Sequence, residues 1–351
     1  MPESHPWPDS APPAPRMRAV EFAQYGSPAE LRIGETDTPA PADEDVLVRV
    51  GAVSLGRFLD LIVRHGRVPG HEITLPHRPG SECAGTVVAL GAAATGLAVG
   101  DRVAIDPVFG SDGGHRIVGV HRPGAYAGYV SVPAACATRV PDDVDAVTAS
   151  SLALSGPAAL ALLHAGGVGP GTTVLVQGAG SGIGATTALL ARLLGADVAV
   201  ATPREDQVDA LTALGFDAAF LSTDPEFTRR ALSGHAEGFE VVVHNMGSPK
   251  VWDASVALVA EGGTILSTGA YAGTRVPLDL RRLAARGLTV KGVPAATAAQ
   301  VAEFWELVAS TGFRTTIARV ASLDDVEEVH HQTEGGAQPV GKIVFTVPDS
   351  W

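Results

Sequence analysis

The residues most plainly built for chemistry are seven in a row, Gly178-Ala179-Gly180-Ser181-Gly182-Ile183-Gly184. Their chemistry would be the binding of a phosphate chain. A turn this rich in glycine lets the backbone close on an anion where side chains would block it. A helix that begins inside the turn adds its unpaired N–H groups and the positive end of its dipole. Two registers are open: Gly180-x-Gly182-x-x-Ala185 fits the dinucleotide consensus, and Ala179-x-Ser181-x-x-Gly184 fits a common variant.

The flanking sequence supplies the elements that must position this turn. Thr173-Val174-Leu175-Val176 is a run of strand formers just before it. A helical pattern follows, with Ile183, Leu189, Leu190, Leu193 and Leu194 apolar, and then a second strand, Val198–Ala201. Strand, glycine turn, helix, strand is the βαβ unit that holds a dinucleotide. Gly178, Gly180, Ser181, Gly182, Ile183 and Gly184 are therefore candidate cofactor contacts.

The end of the second strand decides which dinucleotide. A carboxylate about 20 residues beyond the glycines would accept the adenosine ribose hydroxyls of NAD. Here that place is Thr202, with Arg204 two residues on. A hydroxyl and a guanidinium suit a 2′-phosphate, which a carboxylate would repel. The expectation is NADP(H); the bland alternative is that Arg204 pairs with Glu205 or Asp206 at a helix start. Ligands lie beyond the carboxyl ends of parallel strands, so Asn245 and Gly269, with Tyr271, join the cofactor candidates.

Length and composition bound the rest. A chain of 351 residues, 46% hydrophobic, suggests two domains with substantial cores. A net charge of −13 argues against general nucleic-acid or anionic-membrane binding. Two cysteines, Cys83 and Cys136, are too few for a disulfide framework, which makes a reducing cytoplasm the default. No secretory signal is visible, and Ser151–Val168 is interrupted by Ser155, Gly156, Pro157 and His164, so no bilayer span is expected.

Residues 1–16 are Pro-rich and are expected to be disordered. From Met17 to about residue 140 the chain reads as β-rich with Gly and Pro punctuation, a partly open barrel; Asp45–Ser54 alternates, with Val46, Val48, Val50 and Ala52 on one face. From about residue 151 to 295, alternating strands and helices predict an α/β, doubly wound parallel Rossmann sheet. Residues 296–351 are expected to fold back onto the first domain, giving 17–150 with 296–351 and 151–295 as the two domains.

This order of elements resembles the medium-chain dehydrogenases/reductases. Met17-Arg18-Ala19-Val20, Asp60-x3-Arg64-x-Gly66, Gly80-Ser81-Glu82-Cys83-Ala84-Gly85, Val99-Gly100-Asp101-Arg102-Val103, Gly124-Ala125-Tyr126-Ala127-Gly128-Tyr129 and Gly341-Lys342-Ile343-Val344 match its segments in order. The resemblance implies a GroES-like first domain. Zinc members carry a Cys where this chain has Arg57 and a His where it has Ser81, and neither replacement is a metal ligand. The chain is thus similar to the zinc-independent quinone oxidoreductase and enoyl reductase branch, with no metal expected. The resemblance also puts Tyr126 and Lys342 near the cleft: Tyr126 is the best proton-donor candidate remaining, against the favoured alternative of a core aromatic with its hydroxyl satisfied, and Lys342 is placed on the cofactor, against the alternative of a surface lysine heading an edge strand.

The reaction implied is hydride transfer from NADPH to an activated C=C, in an enone or enoyl thioester, or to a quinone. The branch's usual polar donors are missing here: Phe58 and Ala158 stand where hydroxyl residues are common. Arg57 is a new cation able to stabilise an enolate, and Asp60 could orient it. The loop 106–124, with His115, Arg116, His121 and Arg122, could be a specificity lid or equally a mobile insertion. The competing reading is a nucleotide-binding protein of the same fold without turnover, acting as a structural or regulatory partner. The last strand of the sheet, Leu288–Val293, would leave a bare edge, which predicts a homodimer.

Overall fold

The computed structural model describes residues 5–110, 116–216, 218–269, 274–336 and 338–351. They form two compact units: residues 1–154 with 301–338 and 342–351, and residues 155–300 with 339–341.

The first unit is built on a seven-stranded sheet. Six strands lie in the order Ile317–Ser322, Lys342–Thr346, Asp45–Ser54, Glu82–Leu90, Arg102–Ile105 and Ala137–Arg139. The seventh, Tyr129–Pro133, pairs with the first half of Asp45–Ser54. Asp45–Ser54 thus meets three partners, and its alternation is not the simple one expected. Val50 pairs with Gly85 and Ala52 with Ala84, which leaves Gly51 as an extra residue. A bulge of one residue moves every later side chain to the opposite face. Val46, Val48 and Val50 therefore share the main core with Val53. Ala52 packs on the other side with Ala146, Val147 and Val344.

The expected disorder of residues 1–16 is corrected for residues 5–16. Trp7 Nε1–H donates to the Val144 carbonyl at 2.9 Å, and Thr86 Oγ1–H donates to the Pro8 carbonyl at 2.7 Å. Arg49 pairs with Asp9, and Arg16 opens the strand Arg16–Glu21. Trp7 also lies against the Ala52 cluster. One large aromatic gives the segment something to bury, and its prolines have little backbone freedom to lose.

The second unit is a six-stranded, all-parallel sheet in the order Ala219–Leu221, Asp197–Thr202, Thr173–Gln177, Phe239–His244, Val259–Ser267 and Thr289–Gly292. This is the doubly wound order that runs outward from a central first strand. Thr173–Gln177 pairs with a strand on each side, so the order reverses at its carboxyl end. The glycine turn leaves the sheet at that switch point. Ala146–Ala165 is long and apolar enough to cross a membrane by composition, contrary to the sequence expectation, but 89% of that stretch is buried inside the protein.

Candidate functional site

The glycine turn is held by its own backbone. Gly178 has φ +74°, a conformation that favours glycine, and the N–H groups of Gly178 and Ala179 both donate to the Ala201 carbonyl, at 2.9 and 3.0 Å. Ser181 caps the helix Gly182–Leu193: its Oγ accepts from Gly184 N at 3.1 Å and donates to the Gly178 carbonyl at 2.9 Å. A Cβ on Gly184 would lie 2.3 Å from that same carbonyl. Gly178 therefore makes the tight turn, and Gly184 lets the first turn of the helix pack closely on it. The first intrahelical bond runs from Ala185 N to Ser181 O, so the N–H groups of Gly182 and Ile183 head the helix toward an anion.

At the end of the neighbouring strand the structure corrects the assignment of Thr202. It is fully buried and its hydroxyl donates to Gln207 Oε1, turned inward and already engaged. Arg204 makes a two-pronged contact with Asp206, at 3.0 and 2.7 Å, which is the alternative weighed from sequence. This contact holds the Asp206 carboxyl below its ordinary range. Sequence reasoning missed Gln207. Only its place five residues after Thr202, in the first turns of the helix Glu205–Ala213, could have signalled it.

The other strand ends carry a polar group of their own. Asn245 is buried, its Oδ1 accepts from Thr268 N at 2.9 Å, and its Nδ2 has no hydrogen-bond partner. The Gly269 carbonyl accepts from Ser267 Oγ at 3.0 Å. Tyr271 lies outside the described residues, as does His115. At the preceding residue, His244, a second group forms: Ser255 Oγ donates to Val251 O and so accepts from both His244 Nδ1 and Gln177 Nε2. Burial holds His244 neutral, its pKa lowered to about 4.

In the first unit, Asp60 and Tyr126 do come together, but in the core. Tyr126 is fully buried, and its hydroxyl donates to Asp60 Oδ2 at 2.8 Å. Asp60 Oδ2 also accepts from Gly56 N at 2.9 Å. Burial raises Asp60 to about pH 6, against these two hydrogen bonds, and raises the Tyr126 phenol well above 10. Above pH 6 the carboxylate can only accept, so the Tyr126 proton stays with Asp60. Its oxygen then accepts from His330 Nε2–H at 3.2 Å, which fixes the His330 tautomer. Tyr126 thus has the place of the alternative weighed from sequence, a core aromatic with its hydroxyl satisfied, and not that of a proton donor facing substrate: burial and Asp60 hold the proton inside.

His330 was also missed. Burial first, and then the Arg64 charge, lower its pKa to about 3. It lies on the buried stripe Val326, Val329, His330, Thr333 of the helix Val326–Glu334, a periodicity visible in the sequence. Arg64, buried beside this group, pairs with Glu334 and donates to the Gly26 carbonyl. Lys342 is corrected as well: its ammonium is buried against Glu82 and not offered to a cofactor. Arg57 is half-buried at the entrance of the helix Leu59–Arg64, next to the Gly56 N–H that Asp60 holds.

Residues 42–142 match the alcohol dehydrogenase GroES-like domain, and residues 182–310 match the zinc-binding dehydrogenase family. A NAD-dependent alcohol dehydrogenase of Sulfolobus acidocaldarius is 28% identical over 91% of this chain and 97% of its own length. An L-threonine 3-dehydrogenase of Coxiella burnetii is 30% identical over 75% of this chain and 80% of its own. Among solved structures, a NAD-dependent alcohol dehydrogenase superposes with a TM-score of 0.84, at 28% identity, over 95% of this chain and all of the other. A mycobacterial quinone oxidoreductase gives 0.80, and a mycobacterial structure complexed with NADPH gives 0.77, each at 27% identity over 94% of this chain and 99% of the other. Among the described residues no three His, Cys, Asp or Glu side chains lie close enough to hold a metal ion. Ser81, one of the two expected ligand positions, is buried with its hydroxyl unpartnered.

Proposed function

This chain belongs to the medium-chain dehydrogenase/reductase family, and on that premise we propose that it is a metal-free, NADP(H)-dependent reductase of an activated C=C or a quinone. The observation that carries the reading is the Ser181-capped glycine turn at the switch point of the sheet, with no carboxylate on the residue that ends the next strand, Thr202. Arg204 is the cation available to a 2′-phosphate, at the expense of its exposed contact with Asp206. A relative solved with NADPH supports the same choice.

On this reading the bound dinucleotide supplies the hydride. Gly182 and Ile183 hold its pyrophosphate, and the unpartnered Asn245 Nδ2 supplies a donor at the strand ends. Arg57 takes the charge that develops on the acceptor oxygen. Asp60 is a positioning residue: by binding Gly56 N it fixes the backbone from which Arg57 projects. The exposed edge strand Thr289–Gly292, with Val290 bare, supports a homodimer. Two buried free cysteines suit a reducing cytoplasm.

The test is a titration of NADPH and of NADH followed by turnover. The protein is mixed with NADPH and a panel of enones, enoyl thioesters and quinones, and loss of reduced cofactor is followed, with and without a zinc chelator. Turnover that survives the chelator supports the proposal. Tight NADPH binding with no turnover on any acceptor, or on alcohols in reverse, identifies the non-catalytic reading. Turnover of alcohols that the chelator abolishes overturns the metal-free one.

A further inference from the structure

The glycine turn has a second support, from far along the chain. Gly341 N–H donates to the Gly180 carbonyl at 3.2 Å. Gly341 stands at φ +100°, a conformation that favours glycine. With Pro339 and Val340 it belongs to the second unit, although the residues on either side of these three belong to the first. The other edge of the same peptide plane is held as well: Ser181 N–H donates to the Gly178 carbonyl at 3.1 Å. The plane that joins Gly180 to Ser181 is thus bonded at both edges. No side chain restrains it at Gly180, where a Cβ would fall 2.0 Å from Gln207 Oε1. The N–H groups of Gly182 and Ile183, which head the helix, follow directly on this plane.

Resting on the reading of a dinucleotide at this turn, we infer that Gly341 is a positioning residue of the pyrophosphate site, acting through the Gly180 carbonyl. Its N–H has two effects there. It keeps the plane between Gly180 and Ser181 from rotating, and so fixes the backbone that aims Gly182 and Ile183. It also engages the negative end of that peptide's dipole, so that an anion at the turn meets a compensated carbonyl and not a bare one. Gly341 itself touches no ligand on this account. The next residue supplies a control within the same stretch of backbone: Lys342 N–H donates to the Thr316 carbonyl at 2.9 Å, a bond inside the first unit that does not involve the turn.

The test exchanges the backbone amide at position 341 for an ester, which deletes the N–H and leaves the torsions of glycine free. Binding of NADPH and of NADH is followed by cofactor fluorescence, without any substrate. Both are expected to weaken together, by about three- to tenfold, with their ratio kept. The matching ester at position 342 deletes the bond to Thr316. It is expected to lower the midpoint of thermal unfolding while both affinities stay within twofold of wild type. Affinities within twofold of wild type in the folded 341 ester, or the same loss in both esters, overturn the inference. If the 341 ester does not fold, the unmodified protein carries the test. By linkage, NADPH must then slow exchange of the Gly341 amide proton, read by NMR, by the same factor of about three to ten. Unchanged exchange overturns the inference. Failure of the wild type to bind either dinucleotide overturns the cofactor reading instead.

Discussion

Lys342 Nζ lies 2.5 Å from Glu82 Oε2, and both side chains are only 7% exposed. The pair ties the strand Lys342–Thr346 to Glu82–Leu90, two strands that do not neighbour one another in the sheet. The Glu82 charge also helps to raise both Asp60 and Asp106 to about pH 6, although burial is the larger cause at each. Lys342→Met would leave a buried carboxylate with no counter-charge. The expected cost is about 3–5 kcal/mol, seen as a fall in the midpoint of thermal unfolding. The double change with Glu82→Leu should recover most of it; a double variant as unstable as the single one would contradict this account.

Tyr126→Phe removes the donor to Asp60 and the acceptor from His330, leaving both buried groups short of a partner. A loss of about 1–3 kcal/mol is expected by denaturant titration. Because the phenol is buried, the same variant should keep measurable turnover on any acceptor the wild type reduces. Complete loss of turnover in a folded Tyr126→Phe protein would restore the phenol as a direct proton donor.

Two buried groups should shape stability against pH in opposite senses. Asp60 holds its proton more tightly folded, about pH 6, than its ordinary 3.8. Its contribution is full below pH 4 and is lost as pH rises to about 6. His330 holds its proton less tightly, about 3 against 6.5, so its contribution is full above pH 6.5 and is lost as pH falls toward 3. Asp60→Asn should therefore gain on the wild type between pH 4 and 7, by roughly 2 kcal/mol, and His330→Gln should flatten the acid side of the curve. Parallel curves for wild type and Asp60→Asn would show that burial does not set this carboxyl.

Gly184→Ala places a methyl 2.3 Å from the Gly178 carbonyl, a backbone atom that has no room to move without opening the turn. The variant should lose at least tenfold in affinity for either dinucleotide while the rest of the sheet stays folded. Circular dichroism checks the fold and fluorescence titration the affinity; unchanged affinity would remove this turn from the site.

Deleting residues 1–15 removes Trp7, the Pro8 carbonyl and Asp9 from their partners on the first unit. A half-buried tryptophan and two hydrogen bonds are together worth about 2–3 kcal/mol. Differential scanning calorimetry of the shortened chain should show the lower midpoint. An unchanged midpoint would return the segment to the disorder its composition suggested.

What the sequence made legible was local. The glycine turn, its strands and its helix lie within some thirty residues, and the structure has the doubly wound sheet that they imply. What it hid were partners chosen by the fold. Thr202 looked like a phosphate ligand until Gln207 turned it inward, and Lys342 looked available until Glu82, 260 residues away in sequence, took its charge. The alternation of Asp45–Ser54 misled because one extra glycine inverts it midway. Ala125-Tyr126-Ala127, between small apolar residues, favoured a core tyrosine over a cleft one, and the structure buries it. Composition spoke against the first sixteen residues because it counts prolines and does not weigh a single tryptophan.

The first unit is written in pieces, with a whole second unit between them. During synthesis Glu82, Asp60 and Tyr126 emerge early, while His330, Lys342 and the strand that carries it come within the last few dozen residues. The middle unit, contiguous apart from residues 339–341, can close first as the chain leaves the ribosome. Until the final strand arrives, the first unit carries a buried-to-be carboxylate with no cation and lacks the strand that joins Ile317–Ser322 to the rest of the sheet. A chain cut a dozen residues short would therefore strand its opening half unfinished, however well its middle had folded.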